Sequence, residues 1–130
     1  MSFLGLLDTD VCIDVLRKHP PSIDWLTNVD VTTIGIPIFV VLELIQNSSN
    51  RREADACGLF YNQFEIVLPS TQGLIALPHQ FVDLHLAQGT GLIDVLIAGT
   101  AISHQVPLYT FNIRHYKNIP DLHITQPYTR

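Results

Sequence analysis

The run GLIDVLIAGTAISHQVPLYTFN, residues 91–112, restricts what this chain can become. Read at 3.6 residues per turn, its first part is apolar on nearly every face and predicts a buried helix. One acid, Asp94, lies within it among Leu92, Ile93, Val95, Leu96 and Ile97. A carboxylate there needs a partner or an opening to solvent, because an unpaired buried charge is costly or takes up a proton. A short loop then leads to VPLYT, which reads as a strand, with Asn112 just past its end.

The rest of the chain repeats this alternation. Phe3 to Leu7 reads as a buried strand ending at Asp8, and from Thr9 the period becomes helical until Arg17-Lys18-His19 meets Pro20-Pro21. Ser22 is expected to cap a short helix, Val31 to Ile36 to form a second strand, and Pro37 to open the next helix. Asn50 is expected to cap a helix running to Tyr61 or Asn62, and Phe64 to Leu68 to form a third strand. Ser70 is expected to cap a long helix, kinked or split at Pro78. Residues 107–110 and 122–124 read as the last strands, with a loop or short turn at 112–117. Strands alternating with helices predict a single α/β domain over residues 1–130, with a central parallel sheet of four to five short strands and helices on both faces.

No apolar run reaches the roughly 18 residues that span a membrane. The opening MSFLGLLDTD has no basic leader region, so a cytoplasmic protein is expected. Cys12 and Cys57 lie in apolar helical patterns and read as ordinary buried thiols. A net charge of −5 argues against binding nucleic acid by bulk electrostatics. It leaves room for an enzyme that gathers its acids at one metal site.

Most of the twelve acids have ordinary explanations. Asp14, Asp24, Asp30, Glu53, Asp55, Asp83 and Asp121 are expected on polar helix faces, caps or loops, Glu65 on the polar face of a strand. Asp10 is expected in a first helical turn, where a carboxylate favours the macrodipole. Asp8, Glu43 and Asp94 differ, because each stands in a strongly apolar run: FLGLLD, IFVVLELI and GLIDVLIAG. Only seven Lys and Arg exist, none inside these runs, so separate ion pairing for all three is a poor solution. Clustering around one cation satisfies them together. Carboxylate oxygens without zinc-like His or Cys spacing favour Mg²⁺ or Mn²⁺, and Asn112 at a strand end can add a neutral oxygen. Such a site, in a chain with no phosphate-binding glycine loop, points to phosphodiester hydrolysis. Arg51, Arg52, Arg114 and Lys117 are candidate contacts for the substrate backbone, although a solvated surface accounts for any one of them.

The segments LLDTDVCIDVLR, IPIFVVLELIQ and GTGLIDVLIAGTAISHQVPLYTFNIRHYKNIPDLHI resemble the successive motifs of PIN-domain ribonucleases, most closely the VapC-like toxins of type II toxin–antitoxin systems. The likeness covers about residues 3–124. It implies a three-layer α/β sandwich and Mg²⁺- or Mn²⁺-dependent cleavage of RNA. It implies a catalytic set of Asp8, Glu43, Asp94 and Asn112, with Asp8, Glu43 and Asp94 as metal ligands. Asn112 stands where many members carry a fourth acid. Thr110, Arg114 and His115 would support the site. The likeness also implies a homodimer and a cognate antitoxin that covers the site, contacting helices near residues 9–61.

Three other readings exist, the plainest being a cytosolic α/β domain whose buried acids are all structurally satisfied. LLDTDV matches the Asp-x-Asp-x-Val start of haloacid-dehalogenase-type phosphatases, with Asp8 as nucleophile and Asp10 as acid/base, but the lysine and later acid pair of that chemistry are missing. The third is a binding or regulatory module whose site has decayed at Asn112.

Overall fold

The computed structural model describes residues 3–130. Five short strands form one sheet: β1 (Gly5–Leu7), β2 (Ile34–Pro37), β3 (Glu65–Val67), β4 (Leu108–Tyr109) and β5 (Ile124–Thr125). Every pairing is parallel, and the order is β3-β2-β1-β4-β5. The expected α/β architecture is the observed one, at the upper end of the expected strand number. The strands are shorter than the apolar runs that announced them, since laddering stops where the chain turns away. Val31–Thr33, expected as strand, is a 3-10 turn capped by Asp30.

Seven helices connect the strands: α1 (Thr9–Leu16), α2 (Pro20–Thr27), α3 (Ile38–Gln46), α4 (Arg51–Tyr61), α5 (Thr71–Gln88), α6 (Leu92–His104) and α7 (Ile113–Tyr116). The chain steps outward from β1 to β2 and β3, then crosses back to β4 and β5 on the other side. Right-handed crossovers in opposite senses put α1–α4 on one face and α5–α7 on the other. Helix contacts α1–α2, α1–α3 and α3–α4 join the first group and α5–α6 and α6–α7 the second, while α3 also meets α6. Leu6, Leu7, Ile34, Ile36 and Leu108 of the sheet are essentially inaccessible, as are Val11, Val40 and Ile97 of the helices packed on it. Gly5 is required here, because a Cβ at that position would fall inside the Tyr109 ring of the neighbouring strand.

Three local expectations are corrected. Ser22 is not a cap: Pro20 and Pro21 open α2, and the Ser22 hydroxyl donates back to the His19 carbonyl at 2.6 Å. Pro37 closes β2 and stands just before α3 rather than at its first position. Pro78 neither ends nor splits α5, which runs unbroken through it. The amide that Pro78 lacks is the one that would have bonded the carbonyl of Leu74.

The C-terminal segment returns to α1. Arg130 grips Asp14 through Nε at 3.1 Å and Nη2 at 3.0 Å, and the Tyr128 hydroxyl donates to Asp14 at 2.7 Å. The Tyr128 ring packs on Phe111 at 4.8 Å between centroids, and the Arg130 guanidinium lies over Phe111 at the same distance. Asp14 is therefore a buried, paired acid, not the solvated helix-face residue expected from its sequence.

Candidate active site

β1 lies where the strand order reverses, and the crevice beyond the carboxyl ends of strands at such a switch point is the natural ligand site of an open α/β sheet. Asp8 is the first residue past that end and caps α1. Its Oδ1 accepts the Thr9 amide at 2.8 Å and its Oδ2 the Thr110 hydroxyl at 2.8 Å. It is 4% exposed, and no Lys or Arg among the described residues pairs with it. Burial, followed by the charge of Asp10, pushes its pKa up to about 7 against the pull of those hydrogen bonds.

Glu43 reaches the same cleft from α3, its Oε1 accepting the Thr9 hydroxyl. Asp94 comes from the first turn of α6 and is half-buried rather than sealed in the core. There the N-terminal end of the helix dipole favours its charge. Its Oδ2 lies 3.2 Å from His115 Nδ1, and its Oδ1 lies 3.4 Å from the Tyr116 hydroxyl. That hydroxyl, nearly inaccessible, is also 3.3 Å from Asp8 Oδ1, so one phenol proton faces two carboxylates. Burial and then the Asp8 and Asp94 charges push the Tyr116 pKa upward. Asp8, Glu43, Asp94, Asn112, His115 and Tyr116 line one open cleft of about 540 Å³.

Asn112 lines the same cleft as the acids. Its backbone amide donates to Thr110 Oγ1 at 3.0 Å, and its side-chain nitrogen lies 2.9 Å from His115 Nδ1. Thr110 is fully buried and joins Asp8 to the 110–112 turn. Arg114 sits on α7, exposed and outside the cleft lining.

Sequence reasoning passed over three contributors. Asp10 lines the cleft and accepts the Val11 and Phe111 amides, each at 2.8 Å, tying α1 to the turn after β4. Burial raises its pKa despite those bonds. The Asp-x-Asp spacing was the available signal. Thr9, which holds Glu43, and Tyr116, which joins Asp8 to Asp94, carried no signal apart from their neighbours.

The donor set suits a hard divalent cation in kind: carboxylate oxygens from three elements, one of them buried without a cationic partner. Among the described residues no three His, Cys, Asp or Glu side chains converge closely enough to hold an ion as they stand. Glu43 is turned to Thr9 and Asp94 to His115.

The PIN-domain family profile matches residues 5–121. The chain is 30% identical over 129 residues to ribonuclease VapC2 of Rickettsia felis, covering 90% of this chain and 92% of that one. It is 27% identical over 125 residues to the tRNA(fMet)-specific endonuclease VapC of Salmonella typhimurium, covering 92% and 94%. The crystal structure of DNA-bound VapBC from Salmonella typhimurium superposes with a TM-score of 0.81 at 27% identity, over 96% of this chain and 98% of that one.

Proposed function

Because this chain belongs to the PIN-domain family, we propose that it is a ribonuclease that hydrolyses RNA phosphodiester bonds, the toxin of a toxin–antitoxin pair. The observation that carries this reading is Asp8: a buried carboxyl at the end of the central strand, without a basic partner, facing Asp94 and Glu43 across one cleft.

Asp8, Glu43 and Asp94 are the residues that would hold Mg²⁺ or Mn²⁺. When bound, such an ion polarises the scissile phosphate and lowers the pKa of a coordinated water. Thr110 fixes Asp8 Oδ2, Tyr116 fixes one oxygen of Asp8 relative to one of Asp94, and Thr9 fixes Glu43 Oε1. Glu43 Oε2 has no protein partner among the described residues, and we assign to it the proton of the attacking water. Arg114, exposed beside the cleft, and Lys117 are the nearest cations in sequence for the substrate backbone. Each Asp10 oxygen accepts a backbone amide, so the residue ties α1 to the 110–112 turn.

The domain extends over residues 1–130. The antitoxin is placed against the groove between α1, α3 and α4, about 350 Å³ and lined by Ile13, Leu16, Leu44, Ala56 and Cys57. A homodimer would cover the exposed Ile75, Val82 and Leu86 of α5. No helix among the described residues is long and apolar enough to cross a membrane, which suits a cytoplasmic enzyme.

The test is cleavage of labelled single-stranded RNA by the purified chain. Cutting should require Mg²⁺ or Mn²⁺, stop with EDTA, and fall by about 10²–10⁴-fold in Asp94→Asn. Equal cutting by wild type and variant means contamination, and the reading fails.

A further inference from the structure

Resting on the nuclease reading, we infer that the RNA strand leaves the cleft along α1 and α3, where Arg17 holds one of its backbone phosphates and Asn47 hydrogen-bonds it on the way.

The cleft needs a cation that its own lining does not supply. Asp8, Asp10, Glu43 and Asp94 all line it, and no Lys or Arg does. At a net charge of −5 the molecule has no general attraction for a polyanion. A strand seated among those acids is therefore held by local contacts beyond them. The cleft continues past its acids: Ile13 and Asn47 line both it and the groove between α1, α3 and α4, so the two cavities join at these residues. Arg17 is the one Lys or Arg that lines either cavity.

Helical spacing builds the track. Thr9, Ile13 and Arg17 recur every four residues along α1 and its C-cap, and Glu43 and Asn47 are four apart on α3. Side chains at that spacing share a helix face, and the two helices pack against each other. Each carries a stripe outward from the acids. At 1.5 Å per residue, Arg17 stands about 12 Å beyond Thr9. A stacked strand rises about 3.4 Å per nucleotide, so the span corresponds to about three to four nucleotides.

The two residues are free to serve. Arg17 is exposed and makes no ion pair among the described residues. Glu53, the acid of the same groove, accepts the Ser49 amide at 3.3 Å. Asn47 is exposed at the junction, where its carboxamide can donate to a phosphate or accept from a ribose 2′-hydroxyl. Lys18, the next residue after Arg17, lines a separate hollow with Pro20, Pro21 and Asp24. RNA on this track and the antitoxin placed in the same groove would exclude one another.

The experiment measures steady-state cleavage of labelled single-stranded RNA by the full chain at saturating Mn²⁺, over a range of salt concentrations. Arg17→Ala should raise KM by about tenfold while kcat stays within a few-fold. It should also flatten the slope of log KM against log salt by about 0.7, the share of one phosphate contact on a single strand. Asn47→Ala should raise KM less and leave the slope unchanged, since it removes no charge. Lys18→Gln should alter neither. RNAs trimmed progressively from each end add a second readout. Once the strand is too short to reach Arg17, wild type and Arg17→Ala should share one KM. Cleavage whose KM, salt slope and length dependence are the same in wild type and Arg17→Ala overturns the track and leaves the nuclease reading standing. An equal effect from Lys18→Gln assigns the change to diffuse charge and also overturns the track. Absence of cleavage by wild type overturns both the track and the nuclease reading.

Discussion

Asp8 caps the eight-residue helix α1, Asp14 lies within it, and the two meet opposite fates. Both are buried, and burial pushes each carboxyl toward its protonated form. At Asp14 the Arg130 and Tyr128 hydrogen bonds overcome that push and hold the pKa below the ordinary carboxylate value. At Asp8 the hydrogen bonds come from uncharged groups, Asp10 adds a like charge, and the pKa rises to about 7. The difference separates structure from function. A carboxylate whose charge is matched within the chain stabilises the fold. One left unmatched has to be matched from outside, and the protein carries its cost until then.

The largest expected effect is on Asp8→Asn. Asn retains a side-chain oxygen for the Thr9 amide, so the cap survives while RNA cleavage falls by about 10²–10⁴-fold. The cation-free protein should meanwhile gain stability at neutral pH. Moving a carboxyl from 3.8 to about 7 corresponds to at most about 4 kcal/mol, at 1.36 kcal/mol per pH unit. A loss of stability in urea denaturation of Asp8→Asn at pH 7.5 would break the contrast with Asp14.

The same carboxyl sets a pH dependence whose sign is fixed. Between the unfolded value near 4 and the folded value of about 7, the native state holds the proton that the unfolded state has released. Stability of the cation-free wild type should therefore decline as pH rises through that window, then level off. Asp8→Asn should flatten the decline, and so should saturating Mn²⁺. Asp14 acts in the opposite sense: its contribution is present above the ordinary carboxylate pKa and is lost as pH falls through its lowered folded value. Urea midpoints measured from pH 3 to pH 8 on wild type and both Asn variants resolve the two.

Smaller effects sharpen the other side of the comparison. Asp14→Asn should cost about 1–2 kcal/mol, because Arg130 is nearly half exposed and solvent screens the pair. Cleavage at saturating metal should persist within a few-fold. Tyr128→Phe removes one hydrogen bond but keeps the ring on Phe111, and should cost about 1 kcal/mol with no change in metal affinity.

The sequence exposed the site wherever an acid broke an apolar pattern. Asp8, Glu43 and Asp94 each stood out against their neighbours, and all three line the cleft. Asp10 was hidden because a first-turn acid already has a local explanation, while the amide it accepts belongs to Phe111, 101 residues away. Asp14 was hidden for the same reason, its partner lying 116 residues off. Tyr116 was indistinguishable from a core aromatic, since only its hydroxyl matters to the acids. The parallel α/β architecture was legible from the alternation of periods, because the inner strands β1 and β2 are buried along their whole length.

The bond from the Thr110 hydroxyl to Asp8 joins residues 102 apart. β4, which precedes Thr110, pairs directly with β1, so the central strand lacks its second neighbour until the last quarter of the chain is made. At about 5–20 residues per second, Asp8 waits on the order of 5–20 s during synthesis for the partner that orients it. A nascent chain therefore cannot assemble the cleft piecemeal. For an enzyme directed at RNA, this delay keeps the growing polypeptide harmless beside the very transcript that encodes it.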